Sequence, residues 1–142
     1  MAWKSLYWED VKEAQELPTA TMDITCTMIV AGAIASSDFT PVHHDRDFAQ
    51  GLGMKDIFMN NATICGLSGK YLTDWTGPEG VLKGISLRIG SSCFPGDIMT
   101  MTGKVTKKYT DGDEHLVDVE YEFNVPQGRN CGGTGTIALP TR

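Results

Sequence analysis

The sequence predicts an α+β domain in which an antiparallel sheet wraps one long buried helix. Three observations carry that prediction. Ile64, Leu67, Ser68, Tyr71, Leu72 and Trp75 recur at helical spacing, between the N-cap candidates Asn60 and Asn61 and the stop signal Gly77-Pro78. Val117, Val119, Tyr121, Phe123 and Val125 alternate with Asp118, Glu120 and Glu122, which is the pattern of a half-buried strand. Thr110-Asp111-Gly112-Asp113 supplies a hairpin turn just ahead of that strand.

The remaining elements follow in order. Trp3 to Leu17 reads as a loop or short strand with polar turns, closed by Pro18. Ala20 to Thr25 alternates enough for a strand. Cys26 to Ala35 is small and apolar and suits a short buried helix, although Gly32 weakens its propensity. Ser36 to His44 is a loop in which Pro41 pushes Thr40 out of the helical region. Asp45 is positioned to cap a short helix through Gln50, ended by Gly51 and Gly53. The long helix carries only Lys70 and Asp74 as charges, which predicts burial on most sides. Its small residues Ala62, Gly66, Ser68 and Gly69 allow a close approach by sheet, partner or ligand. Strands are expected over Val81 to Ile89, Asp97 to Lys107, through Val117 to Val125, and over the glycine-rich Asn130 to Leu139. A sheet of three or four such strands has open edges, and small domains of this kind commonly pair them across a dimer.

A chain of 142 residues accommodates one domain, spanning residues 1–142. Its length suffices for a core without disulfides or a metal. Twelve Lys and Arg face eighteen Asp and Glu, a net charge of −6. Broad nucleic-acid binding needs a basic stripe, so that class is excluded, whereas a small anionic ligand needs only a local cationic patch. Cys26, Cys65, Cys93 and Cys131 form no Cys-x-x-Cys pair and match no zinc framework. They read as reduced, mostly buried thiols of a cytoplasmic protein. Met1 to Asp10 shows no signal-peptide pattern, and the apolar run Met28 to Ala35 is too short to span a bilayer.

The segment that carries chemistry is Asp38-Phe39-Thr40-Pro41-Val42-His43-His44-Asp45. A proline-stiffened loop can turn Asp38 and His43 into one cleft. An imidazole removes a proton from water near neutral pH, and a neighbouring carboxyl group orients that water or returns a proton. Such a pair can add water to a polarised double bond. An Asp and a His in a turn also commonly form a plain surface hydrogen bond. His43, His44, Asp45 and Asp47 are a rival metal set, but adjacent histidines on a loop rarely converge on one ion, and no metal is expected. Cys65 lies within the apolar helix and reads as a packed thiol rather than a nucleophile.

Ser37-Asp38-Phe39-Thr40-Pro41-Val42-His43, followed by Asp45 and Ala49, resembles the hydratase motif of the MaoC-like family, usually Gly-Asp-x-Asn-Pro-x-His with a following Ala. Trp8-Glu9-Asp10-Val11 and Leu17-Pro18 look like the family's opening segment, so the likeness covers most of the chain. Ser37 and Thr40 depart from the motif's Gly and Asn. Asn60-Asn61 replaces the usual His-Gly at the start of the long helix. Val42 to Asp47, Lys55 to Asn60 and Tyr71 to Pro78 are similar to one branch, the small subunits of heteromeric enoyl-CoA hydratases of bacterial steroid side-chain degradation.

The resemblance implies a hot-dog fold and syn hydration of a trans-2-enoyl-CoA to the 3-hydroxyacyl-CoA. It implies catalytic roles for Asp38 and His43, with the proton to C2 expected through Asp38 and the assignment of each proton left open. It implies a backbone N–H at Asn61 for the thioester oxyanion, assisted by the helix dipole. No cofactor is expected beyond the CoA of the substrate. The expected partner is a second copy or a second MaoC-like chain, with neither nucleic acid nor membrane. Lys83, Arg88 and Lys104, on neighbouring predicted strands, are the weak candidates for the CoA phosphates, and each reads more readily as a solvated strand residue. A non-catalytic MaoC-like subunit, a hot-dog thioesterase and a binding domain without activity are the alternatives.

Overall fold

Ten elements of chain order reduce to a helix-on-sheet design in the computed structural model, which describes residues 4–142. Trp3, where the expected opening segment begins, lies outside the described residues. The strands are β1 (Ala20–Asp23), β2 (Val81–Ile89), β3 (Ile98–Asp111), β4 (Glu114–Val125) and β5 (Gly128–Ala138). The helices are α1 (Cys26–Ala35), α2 (Arg46–Gly51) and α3 (Asn61–Thr76), with short 3-10 turns at Trp8–Asp10 and Pro41–His43. All strand pairs are antiparallel, in the order β1-β3-β4-β5-β2, so the α+β expectation holds and the sheet has five strands. The fifth is β1, whose four residues pair with the start of β3.

The long helix forms where its caps place it. The Asn60 side chain accepts from the Thr63 N–H at 3.2 Å, which satisfies one of the donors a helix start leaves free. Gly77, at φ 75°, ends it. Ile64, Ser68, Tyr71, Leu72 and Thr76 face inward and are buried. Tyr71 meets Phe123 of β4 edge-on, with ring centroids 5.7 Å apart. Val117, Val119, Tyr121, Phe123 and Val125 line the inner face of β4, and Met99, Met101 and Val105 that of β3. The alternation in the sequence therefore becomes one continuous core under α3. The hairpin turn is Gly112-Asp113, with Gly112 at φ 57°.

Three expectations change. The sheet covers only one side of α3, so Ala62, Cys65, Gly66 and Thr73 are exposed instead of buried on most sides. Helix α1 buries only Ile29 and Ala33 and leaves Ile34 outside, because it lies over the end of α3 and not within the core. Cys93 and Cys131 are buried, but Cys26 and Cys65 are exposed. On β2, Ile85 and Leu87 pack on the core, whereas Ile89 is exposed at the strand's end. Strands β1 and β2 are the two edges of the sheet. Among the described residues no helix is long and apolar enough to cross a membrane.

Candidate active site

The end of α1 aims the aspartate. Ser36 is the C-cap; the Ser37 N–H then donates to Ile34 O at 3.0 Å and the Asp38 N–H to Ala33 O at 2.8 Å. This is a Schellman motif, which requires a left-handed residue just after the cap. Ser37 occupies that place at φ 55°. The family motif has glycine here, so Ser37 preserves the backbone shape while carrying a side chain in a region that disfavours one.

The proline turn then brings His43 back. Thr40 is extended at ψ 124°, as expected ahead of Pro41, and the 3-10 turn Pro41–His43 follows. His43 Nε2 ends 3.3 Å from Asp38 Oδ2, with the imidazole almost buried and the carboxylate about one-third exposed at 31%. On its other side the imidazole Nδ1 lies 2.7 Å from the Phe58 carbonyl oxygen. A carbonyl only accepts, so Nδ1 carries the proton and the Nε2 lone pair of the neutral ring faces Asp38. The Phe58 ring packs edge-on at 5.0 Å and keeps the imidazole from turning.

Asp38 is held as a carboxylate. Its Oδ1 accepts from the Thr40 hydroxyl at 2.7 Å and the Thr40 N–H at 3.2 Å, and its Oδ2 accepts from the Asn60 amide at 3.0 Å. The Thr40 hydroxyl, the Asn60 amide and the Thr40 N–H, in that order, lower its pKa to about 2, and His43 adds a smaller pull. Thr40 therefore donates to the carboxylate from the place where the family motif has Asn.

Helix α3 starts against this pair. Asn61 is its first residue, and a first-turn N–H has no acceptor within its own helix. The Asn61 side chain is exposed. The start of α3 is joined to Asp38 by the buried Asn60, which the sequence marks only as a helix cap. Its spacing to Thr63 signals the cap, but nothing in the sequence signals the contact with Asp38, because that contact spans 22 residues. The Phe58 carbonyl is invisible in sequence for the same reason.

The other candidates disperse. His44 Nε2 faces the Phe39 carbonyl at 3.2 Å and Asp45 caps α2, so the rival metal set does not converge. Lys83 is paired with Glu114 at 2.6 Å. Arg88 and Lys104 do share one groove, of about 830 Å³, which Arg129 also lines. Glu16, Glu120 and Glu122 line it too, so the cations there are matched by acids.

No family model matches the chain. The 3-oxo-4,17-pregnadiene-20-carboxyl-CoA hydratase beta subunit of Mycobacterium tuberculosis is 49% identical over 119 residues, covering 82% of this chain and 85% of that protein. The crystal structure of the ChsH1-ChsH2 complex from Mycobacterium tuberculosis matches with a TM-score of 0.83 at 37% identity, over 90% of this chain and 98% of that one. The R-hydratase PhaJ1 from Pseudomonas aeruginosa shares the fold, with a TM-score of 0.84 at 20% identity over 97% of this chain and 88% of that one. With close to half of the aligned residues identical over most of both chains, this protein belongs to the MaoC-like family of hot-dog hydratases.

Proposed function

We propose that the chain is the catalytic subunit of an enoyl-CoA hydratase, a hydro-lyase that converts a trans-2-enoyl-CoA to the 3-hydroxyacyl-CoA. The observation that carries this reading is the Asp38–His43 pair at 3.3 Å, with the imidazole oriented from behind by Phe58. A water hydrogen-bonded to both side chains gives its proton to His43 Nε2 as its oxygen bonds to C3. The C2=C3 π electrons move toward the thioester carbonyl, whose oxygen becomes negative. The Asn61 N–H, at the positive end of α3, is the donor for that oxygen. The imidazolium then returns the proton to C2 on the same face, which restores neutral His43 and completes syn addition. In this scheme His43 moves both protons. Asp38 orients the water and stabilises the imidazolium, because the donors around it favour the carboxylate over the acid that proton return through Asp38 would require.

The substrate class we favour is a steroid side-chain thioester, supported by the Mycobacterium tuberculosis relative and its name. A heteromer with a second MaoC-like chain is supported by the likeness to the ChsH1-ChsH2 complex and by the edge position of β2. Arg88 and Lys104 remain the candidates for the CoA phosphates in this chain, with the rest of the positive charge coming from the partner. Lys83 would first have to leave Glu114. A cytoplasmic setting is part of this proposal.

The test is the hydration rate on an enoyl-CoA, followed by loss of the conjugated thioester absorbance, for wild type, Asp38→Asn and His43→Ala. Each variant should lose roughly 10²- to 10⁴-fold. Near-wild-type rates in either would overturn the assignment. Release of free CoA thiol, read with a thiol-trapping dye, would indicate a thioesterase instead.

A further inference from the structure

We propose that Asn60 is a positioning residue of the hydration reaction, its side-chain amide clamping Asp38 so that Oδ2 faces His43. The inference rests on the hydratase reading above and adds to it a residue that never touches substrate.

All four hydrogen-bonding positions of the Asn60 side chain are occupied. Nδ2 donates to Asp38 Oδ2 at 3.0 Å and to Ser36 Oγ at 2.8 Å. Oδ1 accepts from the Thr63 N–H at 3.2 Å and from the Thr63 hydroxyl at 2.5 Å. The residue is 1% exposed, so water does not compete for these positions. The direction of the amide is also determined. The Ser36 hydroxyl donates to Gly32 O at 2.8 Å, which leaves its oxygen to accept from Asn60. Reversing the amide would put its oxygen against a carboxylate and a hydroxyl oxygen and its nitrogen against two donors.

The arrangement joins the two helix ends that make the site. Ser36 is the C-cap of α1 and Asn60 the N-cap of α3, and Asp38 lies between them. Thr40 holds only Oδ1, from within the same loop. Asn60 is the group from outside the loop that fixes Oδ2, the oxygen facing His43. Without it the carboxylate can rotate about its terminal bond, and the distance to Nε2 is no longer set. His43 is the titratable group that faces Asp38 here.

Asn60→Ser and Asn60→Asp test the clamp. Serine and aspartate both cap helices well, so α3 keeps its start while the donor to Asp38 is lost. Four quantities are read in each variant: the thermal midpoint, the side-chain carboxyl titration of Asp38 by carbon NMR, and kcat and KM for an enoyl-CoA. The expected result is an Asp38 titration moved upward, further in Asn60→Asp because of the added like charge. With it, kcat falls by roughly 10- to 100-fold, the scale on which supporting residues act, while KM stays within about threefold. An unmoved Asp38 titration, or wild-type kcat in folded Asn60→Ser, overturns the proposal. A wild-type protein that fails to hydrate enoyl-CoA even when combined with its partner chain would sink the hydratase reading, whereas a moved titration in Asn60→Ser would still establish the clamp.

Discussion

His43 Nδ1 lies 2.7 Å from the Phe58 carbonyl oxygen, and that contact decides which nitrogen of the neutral imidazole keeps its lone pair. The neutral ring must carry its proton on Nδ1. Long-range proton–nitrogen NMR spectra above neutral pH should therefore show the Nδ1–H tautomer for His43. A dominant Nε2–H tautomer would remove the lone pair from the Asp38 side and contradict the proton route.

Ser37 should be improvable. It holds a left-handed backbone, φ 55°, in the Schellman motif just before Asp38. Ser37→Gly is expected to raise stability by about 1 kcal/mol with activity retained. Ser37→Val should cost about 1–2 kcal/mol, because a β-branched residue tolerates that region worst. Urea denaturation of the three proteins checks this; a destabilised glycine variant would contradict it.

Acid should erase the contribution of the Asp38 hydrogen bonds. Its folded pKa of about 2 lies below the ordinary value of 3.8, so the charged form is favoured by folding. The contribution is full above the ordinary value and disappears as pH falls through about 2. Wild type should exceed Asp38→Asn in urea midpoint at pH 6, and the gap should close between about pH 4 and 2. A gap that widens on acidification would reverse the sign and refute the account.

Two glycines separate internal packing from open surface. A Cβ at Gly32 of α1 would collide with the Thr63 side chain of α3, whereas one at Gly66 meets nothing within 4 Å. Gly32→Ala should cost roughly 1–3 kcal/mol by overpacking and disturb the Asn60 cap. Gly66→Ala should leave the isolated chain as stable or more stable, by up to about 1 kcal/mol. If a partner covers this side of α3, Gly66→Ala should weaken assembly while folding is intact. Calorimetry and sedimentation report the two effects separately.

The cysteines should divide into two classes. Burial pushes the Cys93 and Cys131 thiols up to about 11, while Cys26 and Cys65 are exposed. A thiol reagent at neutral pH should label two cysteines quickly and two only after denaturation. Mass spectrometry identifies them, and rapid labelling of Cys131 would contradict the packing under α3.

Local patterns in the sequence determined much of this protein. The alternation of Val117 to Val125, the caps at Asp45 and Asn60 and the stop at Gly77 each depend on neighbours a few residues away, and the structure keeps them all. The Asp38–His43 pair was legible through the resemblance of its motif, in which Pro41 stiffens the step of five positions between the two residues. Which sides of α1 and α3 are buried was not legible, because hydrophobic content does not say how many faces a single sheet can cover. The hold of Asn60 on Asp38 and of Phe58 on His43 also came only with the tertiary structure. Those contacts join residues 22 and 15 positions apart, and hydrogen bonds of that span exist only once the chain between them has folded back. The candidate pair was thus written in a local motif, while its orientation was set by contacts that only the folded chain makes.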